Sequence, residues 1–189
     1  FACQHPDVEI SCVTNLSGLE SLREDLDLAI IVSRGQLDDS DYIARHLVTI
    51  PCTIVAAPSV IRRYGAPSHI RQFETLPCIT TVSALKGAPW QFVSAKGRFE
   101  TIAVKGHYRV NSGEMAGRAA VAGVGFAILS KQACQPYIND GRLIEIVLNQ
   151  SAAPLHLFAL YSNRRYLPAK TRVLIDFIHQ KLSHLPLVT

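Results

Sequence analysis

The chain is short of the features that mark a membrane protein, a metalloprotein or a covalent catalyst. Its apolar stretches are brief. The longest, which ends at Leu129, falls far below the roughly 20 residues of a membrane-spanning helix, so no membrane span and no membrane partner are expected. No basic segment leading into an apolar core opens the chain, so no signal peptide is expected. The start at Phe1 points to a fragment or a processed chain. Five cysteines, at 3, 12, 52, 78 and 134, are odd in number and hold no C-x-x-C pair. That spacing disfavours a disulfide framework or a zinc site and fits a reducing, cytoplasmic compartment. The seven histidines show no ligand spacing, so no metal is expected. Lys and Arg number 19 against 15 Asp and Glu, and the basic residues come in pairs (Arg62-Arg63, Arg164-Arg165) rather than a stripe. A domain that grips phosphates by itself shows a dense basic face, so this segment is not expected to bind nucleic acid specifically.

Catalytic patterns are missing as well. Ser33, Ser112 and Ser151 lack a G-x-S-x-G context. No paired-carboxylate pattern stands out, and no nucleophile has a base beside it. Gly123-Val124-Gly125 follows a helix and precedes a strand, the reverse of a dinucleotide-binding turn, and reads as a tight turn. No cofactor and no enzymatic activity are expected.

What the chain does have is core. At 189 residues, 48% apolar and 18% charged, it can bury one large domain or two small lobes. Val8 to Val13 reads as a strand. Leu16 to Asp25 reads as a helix, with Leu16, Leu19 and Leu22 on one face. Asp27 to Val32 is a nearly continuous apolar run, the mark of a strand covered on both faces. Strand, helix and strand in that order predict a parallel βαβ unit and an α/β class.

Leu47 to Ala57 is extended and broken at Pro51. Ser59 to Tyr64 is a short helix with Ser59 as a possible cap and Gly65 as its stop, and another helical turn lies near Ile70 to Phe73. Short strands are predicted at 78–82, 90–93, 98–104 and 107–110. A helix over 114–122, a strand over 124–129, a helix over 132–138 and strands at 143–148 and 155–161 follow. Trp90 reads as a core or shelf aromatic. The chain closes on an amphipathic helix, Lys170 to Leu182, with Leu174, Phe177, Ile178 and Leu182 on one face. A middle inserted into an outer lobe explains the long extended stretches at 47–57 and 155–161 as two crossover strands acting as a hinge.

Two groups of residues are placed for ligand binding. Asn111-Ser112-Gly113 ends a strand and opens a helix, whose first N–H groups have no internal partner and carry partial positive charge. An ordinary helix cap is the alternative. Ser33-Arg34 follows a buried strand, where ligands sit in open α/β sheets, and Arg34 can clamp a carboxylate. A surface arginine in a loop is the alternative. In the hinge reading the two groups face each other across a cleft.

Taken in order, several short motifs resemble the effector-binding domain of LysR-type transcriptional regulators. They are His5 to Ile10 with Asp25 to Ile30, Asp39-Ser40 with Ala44 to Leu47, and Ala57-Pro58-Ser59 with Tyr64 to Pro67. Trp90-Gln91-Phe92 matches the family's W-x-F. Gly106, Val110 to Glu114, Ala119 to Leu129, Gly141 to Leu143, Leu160 to Leu167 and Ile175 to Phe177 complete the set.

The resemblance implies a two-lobed, periplasmic-binding-protein-like (type 2) α/β fold with two crossover hinge strands. Lobe I is expected over 1–56 and 159–189, and lobe II over 57–158. A small, carboxylate-like effector would lie between them on Ser33, Arg34, Asn111, Ser112 and Gly113. The resemblance further implies antiparallel pairing into a homodimer or tetramer of the full-length protein. DNA would be contacted only through an N-terminal winged helix-turn-helix, which this chain is expected to lack together with the family's first strand and helix. Two other functions compete. The cleft alone also fits a solute-binding protein of a transport system, and Ser33 or Ser112 could serve a hydrolase or transferase.

Overall fold

A computed structural model describes residues 1–13, 26–34, 42–81, 90–162 and 166–183. Along the chain, β1 (Ala29–Ser33) and β2 (Tyr42–Ile50) come first, and Pro51 separates β2 from β3 (Cys52–Ala56). Proline gives no N–H to a ladder, and the chain changes sheet there. Helix α1 (Pro58–Tyr64) starts with Pro58 at a position whose N–H is unused anyway. The residue before it, Ala57, is the N-cap, so Ser59 is not the cap. Gly65 ends the helix at φ 80°, a conformation that glycine adopts without strain. A 3-10 helix (Ile70–Glu74) leads to β4 (Cys78–Thr81), β5 (Gln91–Ser94), β6 (Phe99–Thr101) and β7 (Gly106–Val110). Then come α2 (Gly113–Val121), β8 (Ala127–Ser130), α3 (Lys131–Asn139), β9 (Ile144–Ile146), β10 (Gln150–Ala152), β11 (Leu155–Ser162) and α4 (Ala169–Ser183).

Among the described residues the strands form four small sheets, ordered β1-β11-β2, β8-β3-β9, β10-β5-β6 and β4-β7. The chain leaves the first sheet at Pro51 and returns to it through Ala153-Pro154. Strand β3 is buried from Thr53 to Ala56, so both its faces are covered. One face, with Ile54 and Ala56, packs on Val60, Ile70 and an aromatic cluster. The other, with Val55, packs on Ala116, Ala119 and Ala120 of α2 and Cys134 of α3. The aromatic cluster centres on Phe73, whose ring lies 4.8 Å from Trp90, 5.5 Å from Phe126 and 6.1 Å from Phe92. Trp90 is fully buried and donates its indole N–H to Ile79 O at 3.2 Å. A separate core joins Leu47, Ala159 and Ile175, placing α4 against the first sheet.

Several sequence expectations are corrected. Val8 to Val13 forms no strand. The predicted helix at Leu16 to Asp25 lies outside the described residues. Strand β1 pairs antiparallel with β11, not in a parallel βαβ unit, and its Ile30 is exposed. Parallel pairing occurs between β4 and β7 instead. The buried face of α4 centres on Thr171 and Ile175; Ile178 and Leu182 pack beside them as expected, with Leu174 to one side. Strand β10 was not expected; its three residues are too few to show a period.

Candidate functional site

Ser33 is the last residue of β1, opposite His156 on β11. Directly paired residues of antiparallel strands point to the same side of a sheet. Arg34 follows and turns back into the protein. One terminal nitrogen donates to the Ala153 carbonyl, and the other lies 4.0 Å from Cys52 Sγ. Both partners lie where the chain passes between sheets: Cys52 begins β3, and Ala153 precedes β11. Arg34 is thus no loose surface arginine. Its Nε–H is buried and has no partner among the described residues. Burial pulls the guanidinium pKa down, and the neighbouring Cys52 opposes that shift. Burial likewise raises the Cys52 thiol, with Arg34 opposing.

Ser112 is the N-cap of α2, and its hydroxyl accepts from Met115 N–H at 3.5 Å. Its backbone is extended, at φ −132° and ψ 132°, as an N-cap requires. Gly113 opens the helix, and a Cβ there would meet nothing within 4 Å. Space beside this helix start is therefore open to solvent or to a ligand. Asn111 is exposed and precedes the cap. These three residues act as a helix start, and Ser33 with Arg34 as a strand end. An open, mostly apolar groove of about 350 Å³ lies elsewhere, between β7 and α2, lined by Tyr108, Met115, Arg118, Ala119, Ala122 and Val124.

Sequence reasoning missed a polar cluster beside Ser33. Thr49 Oγ1 lies 3.1 Å from His46 Nε2 and 3.1 Å from His156 Nδ1. Residues three apart on a regular strand face opposite sides. Here His46 pairs with Phe158 and Val48 with Leu157, so Leu47 is one residue extra. That bulge returns Thr49 to the side of His46. Burial lowers the His156 pKa, and the like charge of His46 lowers it further. No periodicity rule reports a bulge, and 107 residues separate Thr49 from its partner His156.

The two fully buried thiols offer no nucleophile. Burial pushes Cys78 and Cys134 up to about 12, so both are protonated at neutral pH. Among the described residues, no three His, Cys, Asp or Glu side chains group as a metal site. No helix among them is long and apolar enough to cross a membrane.

This architecture is that of a two-lobed, periplasmic-binding-protein-like (type 2) α/β domain. The family model "LysR substrate binding domain" matches residues 1–183, and the chain belongs to that family. It is 25% identical over 185 residues to the HTH-type transcriptional regulator CrgA of Neisseria meningitidis, covering 97% of this chain and 60% of the relative. It is 29% identical over 190 residues to the HTH-type transcriptional regulator DmlR of Escherichia coli, covering 98% and 60%. The chain thus spans about 60% of the length of these relatives. The solved regulatory domain of Neisseria meningitidis CrgA superposes with a TM-score of 0.72 at 23% identity, covering 96% of this chain and 87% of that one. The family match does not favour the transport-protein alternative.

Proposed function

We propose that the chain is the ligand-sensing module of a LysR-type transcriptional regulator. Lobe I comprises 1–56 with 159–189, and lobe II comprises 57–158. A small anionic effector binds between them, held by Ser33 and Arg34 on one side and by Asn111, Ser112 and Gly113 on the other. The observation that carries the reading is Arg34: a half-buried guanidinium at a strand end, its buried Nε–H without a partner among the described residues, set against both chain crossings. An anion placed there gains a charge-assisted bond, and the α2 start adds unpaired backbone N–H groups. The effector acts by binding one arrangement of the lobes better than another, and its differential affinity sets the size of the response.

In the full-length regulator that response is transmitted to an N-terminal DNA-binding domain, in the cytoplasm, without catalysis. A second copy pairs with this one, and the groove exposing Tyr108, Met115 and Val124 is the face it covers.

The test is a thermal-shift screen of the purified chain against small carboxylates, aromatic acids, amino acids and sugar phosphates. Ligand at 100 times its dissociation constant adds about 2.7 kcal/mol. A saturable shift lost in Arg34→Ala and Ser112→Ala supports the site. A shift that survives both changes places the effector elsewhere.

A further inference from the structure

His46, Thr49 and His156 play no part in the anion reading, yet their ligand atoms converge. Two imidazole nitrogens lie 3.1 Å from one hydroxyl oxygen, from opposite strands of one antiparallel pair. The hydroxyl has a single proton, so it can donate to only one of the two rings. The other ring must then be the donor. A cation held by both lone pairs removes that constraint.

We propose that His46 and His156, with the Thr49 hydroxyl between them, form a site for a late first-row divalent metal ion. The spacing fits. With metal–nitrogen bonds of about 2.05 Å, two imidazoles on one ion have ring centroids roughly 5.2 Å apart at a tetrahedral angle and roughly 5.5 Å apart at 120°. The two rings stand 5.6 Å apart. Their 58° interplanar angle is no obstacle, because each ring turns freely about its metal–nitrogen bond. Two neutral nitrogens and one hydroxyl favour Zn²⁺, Ni²⁺ or Cu²⁺ over Mg²⁺ and Ca²⁺, which want several hard oxygens. The bulge at Leu47 makes the site, since without it Thr49 would face α4. The position also carries a consequence. Thr49 lies two residues before Pro51 and His156 two residues after Pro154, so a bound ion clamps β2 to β11 beside both chain crossings.

The experiment is calorimetric titration of the whole chain with Zn²⁺ and with Ni²⁺, in a Cys3→Ser/Cys12→Ser background that removes the two exposed thiols. One site per chain is expected. His46→Gln and His156→Gln should each weaken it by ~10-fold or more, and Thr49→Val by less. Metal-free melting curves of the variants report whether they fold. Mg²⁺ should show no saturable binding. Zn²⁺ or Ni²⁺ affinity within twofold of the parent in either folded histidine variant overturns the proposal, as does binding that vanishes with the exposed thiols.

Discussion

Alanine in place of glycine should have opposite effects at two positions eight residues apart. Gly125 lies in the turn between α2 and β8. A Cβ built there stands 2.3 Å from the Pro77 carbonyl oxygen and 2.9 Å from its carbon. Contact becomes ordinary from 3.4 Å, so backbone must retreat by about 1.1 Å. That backbone is bonded in place: Phe126 N–H donates to Pro77 O at 2.9 Å, and Ile79 N–H donates to Phe126 O at 2.8 Å. Loosening both costs about 2 kcal/mol, and disturbing the buried Phe126 and Cys78 about 1 kcal/mol more. Gly125→Ala should therefore destabilise by about 3 kcal/mol, a fall of roughly 6–12 °C in Tm for a chain of this size. At Gly117, inside α2, the added Cβ meets only Leu129 Cδ1, at 3.7 Å. Gly117→Ala should stabilise by about 0.4–1 kcal/mol through helix propensity and a less flexible unfolded chain. Thermal and urea melts of both variants beside the parent decide the matter. A Gly125→Ala melt within ~2 °C of the parent, or equal losses at both positions, would refute the steric reasoning.

Four further outcomes follow from the same structure. Phe73→Ala removes the ring around which three buried aromatics pack, and should cost about 3–5 kcal/mol in urea unfolding. Ser112→Ala should cost about 1 kcal/mol by loss of the α2 cap, and Ser112→Asp should recover most of it in the same assay. With its pKa lowered in the fold, His156 binds fewer protons folded than unfolded. Its contribution is fully present above the unfolded pKa of about 6.5 and is lost as pH falls through the folded value, so stability should rise with pH across that window. Melts of His156→Gln against pH should be flatter there. An Ellman titration of native protein at pH 8 should find Cys3 and Cys12 fast and Cys78 and Cys134 silent until denaturant is added.

Much of the fold was legible because its signals are local. Gly65 at the end of α1 and Ser112 at the start of α2 act through their own backbone, so sequence alone positions them well, whereas the start of α1 lies one residue earlier than the Ser59 cap suggests. The extended stretch at Leu47 to Ala57, broken at Pro51, matches the end of β2 and the whole of β3. Pairing partners were not legible. Strand β1 has the continuous apolar character of a parallel strand, yet it lies against β11, from the far end of the sequence. Periodicity says which face is buried and nothing about which strand lies alongside. Around the candidate site, residue types at a strand end and a helix start were enough to single out Ser33 to Arg34 and Asn111 to Gly113. The commitment of Arg34 to Cys52 and Ala153 was not, since those partners come from 18 and 119 residues away.

That commitment bears on how a ligand could act. In the arrangement described, each terminal nitrogen of Arg34 turns an N–H to the protein's own crossings, and Nε–H has no partner among the described residues. On the proposed reading, an anion that takes the two N–H groups now turned to the Ala153 carbonyl and the Cys52 thiol must displace both. One that takes only Nε–H leaves both in place. The first kind of ligand shifts the balance of lobe arrangements because it binds better once the tie is broken; the second reinforces the tie. A single side chain can therefore report two opposite signals. The sign is set by which of the five guanidinium N–H groups the bound anion takes.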